Sequence, residues 1–334
     1  MKEKKPILIM ILIMIFIVIS FFVSLNLGYI KITPIDVIKT LFGSGTENDQ
    51  LVLFEFRLPR MVIALLIGAG LGVSGAILQG VSQNGLADPG ILGINAGAGL
   101  AVVLFIFFFQ GSVSGLGTLS IFVMPVAALI GGLLAAFLIY TLAWKQGVTP
   151  VRLILVGIGV NAAFGAALLI VQLKMNPQDF MQATIWLSGS IWGANWTFVL
   201  TILPWILILI PIVIYKARYL NVLSLGDQVA TGLGADVEKE RRILLILSVA
   251  LAGSCVAVGG GISFLGLVAP HLARRLVGQK YHVLIPTTAL MGALLLLVAD
   301  TIGRNALAPS EIPVGLVVSA LGAPYFIYLL IKVD

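Results

Sequence analysis

The stretch SFLGLVAPHLARRLVG, residues 263–278, decides how this chain is counted. It opens apolar and closes basic. As a helix it would be about 24 Å long, at about 1.5 Å per residue, against roughly 30 Å for the hydrocarbon core of a bilayer. A helix that short crosses only when protein surrounds it. Taken as a short helix near 262–277, it completes a set of ten and returns both termini to one side.

The remainder of the chain calls for lipid as solvent. Its 334 residues are 60% hydrophobic and only 10% charged, where a soluble domain carries about 25% charged residues. Mean hydropathy is +1.12. Apolar runs long enough for spans lie near 7–27, 61–81, 93–110, 119–143, 153–173, 198–215, 243–259, 283–303 and 312–331. The first follows MKEKKP and resembles a signal peptide. It is too long for one and lacks a small-residue cleavage site, so it is read as a retained span. The fold class expected is all-α integral membrane, with ten transmembrane helices, one of them short.

The positive charges test that topology. With both termini cytosolic, Lys2, Lys4, Lys5, Lys145, Arg152, Lys216, Arg218, Lys239, Arg241, Arg242, Arg274, Arg275, Lys280 and Lys332 face inward. Lys31, Lys39, Arg57, Arg60, Lys174 and Arg304 face outward. These account for all 20 Lys and Arg of the net +6 chain, and the bias obeys the positive-inside rule. Leaving out the short helix would put Lys332 outside.

Small residues recur every four positions in the second span, at Ala64, Gly68, Gly72, Ala76 and Gly80. Such a ridge lets a neighbouring backbone approach closely. Gly159, Ala163 and Ala167 repeat the pattern in the fifth. Asn161, in the same span, is expected to face the bundle interior or a pathway rather than lipid. GLGVSG at 70–75 matches a dinucleotide fingerprint, but no strand precedes it and it lies inside a membrane helix. Cys255 is alone, which excludes an internal disulfide and a cysteine-based metal cluster.

Several absences narrow the function. No G-x-x-x-x-G-K-[ST] is present, so the chain has no P-loop for ATP. His271 and His282 are the only histidines, and no H-E-x-x-H exists. No acid lies near a span centre; Asp300, near an outer end, sits four residues before Arg304 and can pair with it. An ion-coupled secondary transporter needs intramembrane ionisable groups. An integral-membrane enzyme needs paired acids or a histidine cluster. Neither is met, so the chain is not read as an enzyme, and active transport would be driven by a partner. Nothing calls for a cofactor, a metal site or a nucleic-acid partner.

Two external segments, 28–60 and 174–197, carry helix signals. Thr33, Pro34 and Asp36 open one short helix and Gly43 stops it. Asn176, Pro177, Asp179 and Gly189 do the same for a second, with Trp186, Trp192 and Trp196 as interfacial anchors. On the cytosolic side the longest segment is 216–242. There Ser224 and Asp227 resemble a capping box, Leu225, Val229 and Leu233 share an apolar face, and Gly232 and Gly234 end the turn. A short helix presenting an apolar face to water suits docking into a partner's groove. In FEFRLPR, 54–60, two outward arginines break the charge trend. They suit either lipid phosphates or an acidic partner. Between two spans, NGLADPGILGINAGAG, 84–99, supplies an Asn, an acid and a Pro-Gly turn that an inert anchor would not need.

Taken in order, RLPR at 57–60, GAILQG at 75–80, NGLADPGILGINAGAG at 84–99, LSLGDQVATGLG at 223–234, GGGISFLGLVAPHLARRLVG at 259–278 and ADTIGR at 299–304 resemble the permease subunits of bacterial ABC importers for iron–siderophore complexes and cobalamin, the FecCD-type transport family. The resemblance covers nearly the whole chain. It implies one permease domain over 1–334 with the type II ABC importer permease fold, in the bacterial cytoplasmic membrane. It implies separate ATP-binding subunits below, an extracytoplasmic substrate-binding protein above, and a second permease subunit, identical or not, alongside. Asn84 and Leu86 match positions that narrow an inner gate. Leu225, Gly226, Asp227, Val229, Gly232 and Leu233 match the segment that seats on the ATPase. Arg57, Arg60 and Arg304 match outer arginines that receive the binding protein. The cargo implied is a ferric siderophore, with cobalamin or haem as the alternative.

Overall fold

With lipid as solvent, each span must satisfy its own backbone hydrogen bonds, and a helix does so without neighbours. The computed structural model describes residues 4–28, 30, 32–90, 93–109, 120–145 and 149–332. Its helices are α1 (Lys4–Asn26), α2 (Pro34–Leu41), α3 (Glu47–Gln50), α4 (Leu58–Val81), α5 (Ile94–Phe109), α6 (Ser120–Ala143), α7 (Pro150–Gln172), α8 (Pro177–Leu187), α9 (Trp196–Leu223), α10 (Asp227–Gly232), α11 (Val237–Gly259), α12 (Leu265–Val277), α13 (Tyr281–Asn305) and α14 (Val314–Lys332). A π-helical piece, Leu51–Arg57, joins α3 to α4. Lys2, Lys31 and positions 91–92 of the 84–99 stretch lie outside the described residues.

Every expected span is occupied by a helix. Among the described residues seven helical segments are long and apolar enough to cross a membrane, while α5 and α14 are shorter and apolar. The short helix α12 has 13 residues. It starts after Phe264, whose backbone is left-handed, and the glycine-rich stretch before it is enclosed by protein. The amide of Gly261 donates to the Trp186 carbonyl at 3.3 Å. Non-helical backbone at such a depth is tolerated only when protein takes up its polar groups.

The hub is α4, which packs on α13, α11, α12 and α9. Its most apolar stretch is 78% buried, against 17% for α1 and 11% for α7. The glycine ridge explains why α4 can be central. A Cβ added at Gly68 would stand 2.3 Å from the Gly292 carbonyl oxygen of α13; at Gly75 it would stand 1.8 Å from that of Gly266 in α12. Across to α11, Ser74 Oγ donates to the Ser248 carbonyl at 2.8 Å. In α7 the similar-looking stripe is less enclosed among the described residues, with only Ala167 half-buried. Gly159 has nothing within 4 Å, and Asn161 and Ala163 are exposed.

Two ends of the bundle can be told apart. At one, Trp196 Nε1 of α9 donates to the Phe54 carbonyl before α4, and the Gly315 amide of α14 donates to the Gly189 carbonyl after α8. At the other, Gln83 after α4 donates to the Leu223 carbonyl of α9, and the Tyr281 amide opening α13 donates to Asn221. The first half of α1 packs Ile9, Ile13 and Ile17 on α12 and α13, whereas its last turn meets Arg57. The α14 ring of Tyr325 meets His271 of α12. Thus α1 runs from the second end to the first, and α14 runs from the first end to the second.

Two departures have local causes. Helix α9 runs to Leu223, two turns past the expected end, because Lys216 inside it is held by Glu240 of α11 at 2.8 Å. The second span begins upstream of Pro59, because the π-helical piece carries the chain into α4 without a break.

The ridge gives a test. Gly75→Val should abolish recovery of folded protein, since the added carbons would have to displace backbone. Gly165→Ala, where nothing lies within 4 Å, should leave melting in detergent unchanged. Thermal size-exclusion assays check both; a Gly75→Val protein melting like the parent would refute the close contact.

Candidate functional site

The first end gathers four charged groups from three parts of the chain. Arg60, in the first turn of α4, donates through Nε to Asp300 Oδ1 at 2.9 Å and through Nη1 to Glu311 Oε2 at 2.7 Å. Arg304, one turn after Asp300 on α13, places its Nε 3.1 Å from Asp300 Oδ2 and bonds Ser24 of α1. The Asp300 side chain is wholly buried between the two guanidinium groups. The pairing of Asp300 with Arg304 expected from their spacing is therefore present, and Arg60 joins it. Arg57 donates instead to the carbonyls of Leu25 and Ile30.

The structure thus brings Arg57, Arg60 and Arg304 to one end but does not present them alike. Arg57 and Arg304 are buried; the Arg60 side chain is 11% exposed and its partner Glu311 is 34% exposed. Glu311 and Ser24 were not legible as members of this site. Glu311 comes back because the Ile312 amide donates to the Gly303 carbonyl, a closure with no sequence signal.

At the second end the loop after α4 answers the question raised by its composition. Two side-chain turns follow one another. Asn84 Oδ1 accepts the Leu86 amide at 2.9 Å, and Asp88 Oδ2 accepts the Gly90 amide at 2.9 Å. Such turns are the usual work of Asn and Asp beside Pro and Gly. Asn84 and Leu86 stay half-buried, whereas Asp88 and Pro89 are buried. Asp88 and Pro89 fill the space left by Gly266: a Cβ there would stand 2.6 Å from Pro89 Cδ and 2.8 Å from Asp88 Oδ1. Beside this loop, Arg274 of α12 donates to Gln79 Oε1 of α4 at 3.1 Å.

Also at the second end, α10 stands out from the bundle. Leu225, Val229 and Leu233 are 58%, 50% and 64% exposed, while Ala230 is buried against the chain. Asp227 pairs with Arg241 of α11 at 2.6 Å, which fixes α10 to the bundle. The capping box is corrected. Ser224 closes the C-terminus of α9, donating to the Asn221 carbonyl, and Gly226, with φ +95°, precedes α10 without a side-chain cap. The overrun of α9 uses Ser224 before α10 can. By contrast the caps at Thr33 and Asn176 form as expected, each accepting the amide three residues on. Among the described residues no group of His, Cys, Asp and Glu is arranged to hold a metal ion.

With this geometry in hand, comparison with known proteins is specific. The model of the FecCD transport family matches residues 15–332. The chain belongs to the FecCD transport family. It is 65% identical over 333 residues to the iron(3+)-hydroxamate import system permease protein FhuG of Bacillus subtilis (strain 168), covering 100% of this chain and 99% of that one. It is 45% identical over 318 residues to the iron-uptake system permease protein FeuC of the same organism, covering 95% and 94%. Among solved structures it resembles an inward-facing metal-chelate type ABC transporter, with a TM-score of 0.82 and 31% identity, covering 97% of this chain and 99% of that one. It is a multi-pass membrane protein with the permease fold, and its family transports rather than catalyses.

Asp88 makes a pH prediction. Burial pushes its carboxyl up from 3.8 to about 6, partly offset by the Gly90 amide, and among the described ion pairs it has none. The folded acid then holds its proton where the unfolded one has lost it. The Asp88 contribution to stability should therefore fall as pH rises from about 4 to about 6, on the order of 3 kcal/mol at about 1.4 kcal/mol per unit, and level off above. Asp88→Asn should flatten that slope and melt higher at pH 7. Melting curves across this range check it; a parent slope retained in the Asn variant would contradict it.

Proposed function

We propose that this chain is the permease subunit of an ABC importer that carries a ferric siderophore of the hydroxamate class across the bacterial cytoplasmic membrane. The observation that carries this reading is the end-to-end likeness to a permease of iron(3+)-hydroxamate import. The first end faces outward, and both termini are cytosolic with the second end. All of 1–334 acts as one permease domain, with 28–60 and 174–197 as its external parts and 216–242 as its coupling segment. A second permease subunit, identical or not, covers the open side of α7. This account needs ATP-binding subunits inside and a substrate-binding protein outside.

The coupling role falls to Leu225, Gly226, Asp227, Val229, Gly232 and Leu233. Val229 of α10 and the flanking Leu225 and Leu233 supply the contact, and the Asp227–Arg241 pair passes its movement into α11. Asn84 and Leu86 narrow the inner gate. Expression should restore growth on a ferric hydroxamate to a Bacillus subtilis strain lacking FhuG; no growth would contradict the cargo. Leu225→Asp with Val229→Asp should abolish that growth and lose the co-purified ATPase, because an unpaired carboxylate is costly to bury. In the purified parent complex, thiol labelling of a cysteine at position 86 should respond to ATP only while the ATPase is bound. Undiminished ATPase recovery, or labelling blind to ATP, would remove these two assignments.

The binding protein docks on the end that holds Arg57, Arg60 and Arg304. Arg60 reaches the surface, while Arg57 and Arg304 hold α1, α4 and α13 in place beneath it. Glu311 competes with the incoming acid for Arg60. Glu311→Gln should therefore tighten docking in nanodiscs by a few-fold, as suits an exposed pair of about 0.2–1 kcal/mol, and salt should weaken the gain. Unchanged affinity at low salt would show that Arg60 does not take part.

A further inference from the structure

A trough of about 360 Å³ lies between α6 and α11, at the second end of the bundle. Its size is within the about 300–1,000 Å³ of small-molecule sites. Phe137 and Tyr140 of α6 line one side, Arg242, Leu245 and Ile246 of α11 line the other, and Leu153 of α7 joins them. Leu245 is buried, whereas Phe137 and Ile246 are 67% and 61% exposed. Exposed apolar rims on spanning helices face hydrocarbon, so the trough opens sideways into the bilayer. On α11 Arg242 stands one turn before Ile246, on the same face. The trough therefore has a charged end and an apolar length.

Several cations converge on the charged end. Arg241 is engaged within the chain, by Asp227 at 2.6 Å and Glu238 at 3.9 Å. Arg242, the next residue, is exposed and faces the trough. Arg152, which precedes Leu153, donates to the Ala143 carbonyl at 3.3 Å and to the Lys145 carbonyl at 3.4 Å. These bonds hold a second guanidinium at the close of α6, one turn past Tyr140, and Lys145 is exposed there. The rings of Tyr140 and Trp144, with centroids 5.6 Å apart, mark the headgroup level, where amphipathic aromatic rings sit. Basic side chains at that level, above an apolar slot between spanning helices, match an anionic phospholipid. Its phosphate would lie on the guanidinium groups and one acyl chain along Phe137 and Ile246. A zwitterionic lipid would bring its own ammonium to the same cations. A water-soluble anion would leave the apolar length unfilled.

Resting on the sidedness proposed above, we infer that the trough between α6 and α11 binds one anionic phospholipid of the inner leaflet, with its phosphate held by Arg242 and with Arg152 and Lys145 alongside. A zwitterionic lipid or a second copy of the permease would be the competing occupant.

The full-length permease is reconstituted with its ATPase in phosphatidylcholine nanodiscs. These are doped with phosphatidylglycerol carrying a photoactivatable acyl chain, or with phosphatidylcholine carrying the same chain. After illumination, peptide mass spectrometry should place the phosphatidylglycerol adducts on 133–140 and 245–250, with several-fold fewer from phosphatidylcholine. Arg242→Gln should lower the phosphatidylglycerol adducts about five-fold, as suits one basic residue at a membrane surface, and Arg242→Lys should retain most of them. Arg218→Gln, at an exposed residue of α9 that lies over the Tyr215 and Tyr219 rings at the same end, should change nothing. The inference is overturned if both probes label the trough equally, or if neither does, as a second copy seated there would give. It is equally overturned if Arg242→Gln keeps the parent's adducts. Sidedness is read separately. Because Cys255, the sole cysteine, is buried, Gln279→Cys, exposed between α12 and α13, accepts a maleimide selectively. In the permease expressed without its ATPase, that cysteine should resist a membrane-impermeant maleimide until the cells are opened. Reaction in intact cells would instead overturn the proposed sidedness, and the inner-leaflet assignment with it.

Discussion

The arrangement depends on how closely two backbones can lie. Between membrane helices there is no hydrophobic driving force, and association relies on packing and on hydrogen bonds between helices. At Gly75 the α4 backbone meets the Gly266 carbonyl so closely that no side chain fits between. This contact seats the start of α12 against the middle of the bundle. From there 13 residues suffice to bring Arg274 to Gln79 at the second end. The same Gly266 leaves the hollow into which Asp88 and Pro89 fold. The short helix α12, the hub helix α4 and the turn that follows α4 therefore meet at one glycine, Gly266.

The charged groups obey a related constraint. Asp300 is wholly buried, and a buried carboxylate persists only when paired. Arg60 and Arg304 supply two partners from different helices, and Glu311 balances the second positive charge. At the other end, Glu240 is likewise held by Lys216. Acids of the spanning helices are thus committed to ion pairs near the ends of the bundle, and the one buried acid without an ion pair among the described residues, Asp88, lies in a loop.

Much of this was legible before the fold was known, for local reasons. Span positions follow from apolar run length, the caps at Thr33 and Asn176 from residue chemistry within three positions, and the α4 ridge from a four-residue period. The Asp300–Arg304 pair is also a same-helix spacing. What escaped is non-local. Lys216 reads as the start of a loop until Glu240, 24 residues on, holds it inside α9, and Ser224 changes role as a result. Glu311 reads as a loop acid until the chain folds back to Arg60. The α7 stripe looks like the α4 ridge because periodicity shows that a face is smooth, not which neighbour meets it.

A permease of this family works with an ATPase and a binding protein, and that dependence can be measured. The direct measurement is uptake of a radiolabelled ferric hydroxamate into proteoliposomes containing the permease with its ATPase and binding protein, with ion gradients set or collapsed by ionophores. Uptake should require ATP on the ATPase side and stay unchanged when proton and sodium gradients are collapsed. Uptake driven by an imposed gradient without ATP would contradict it.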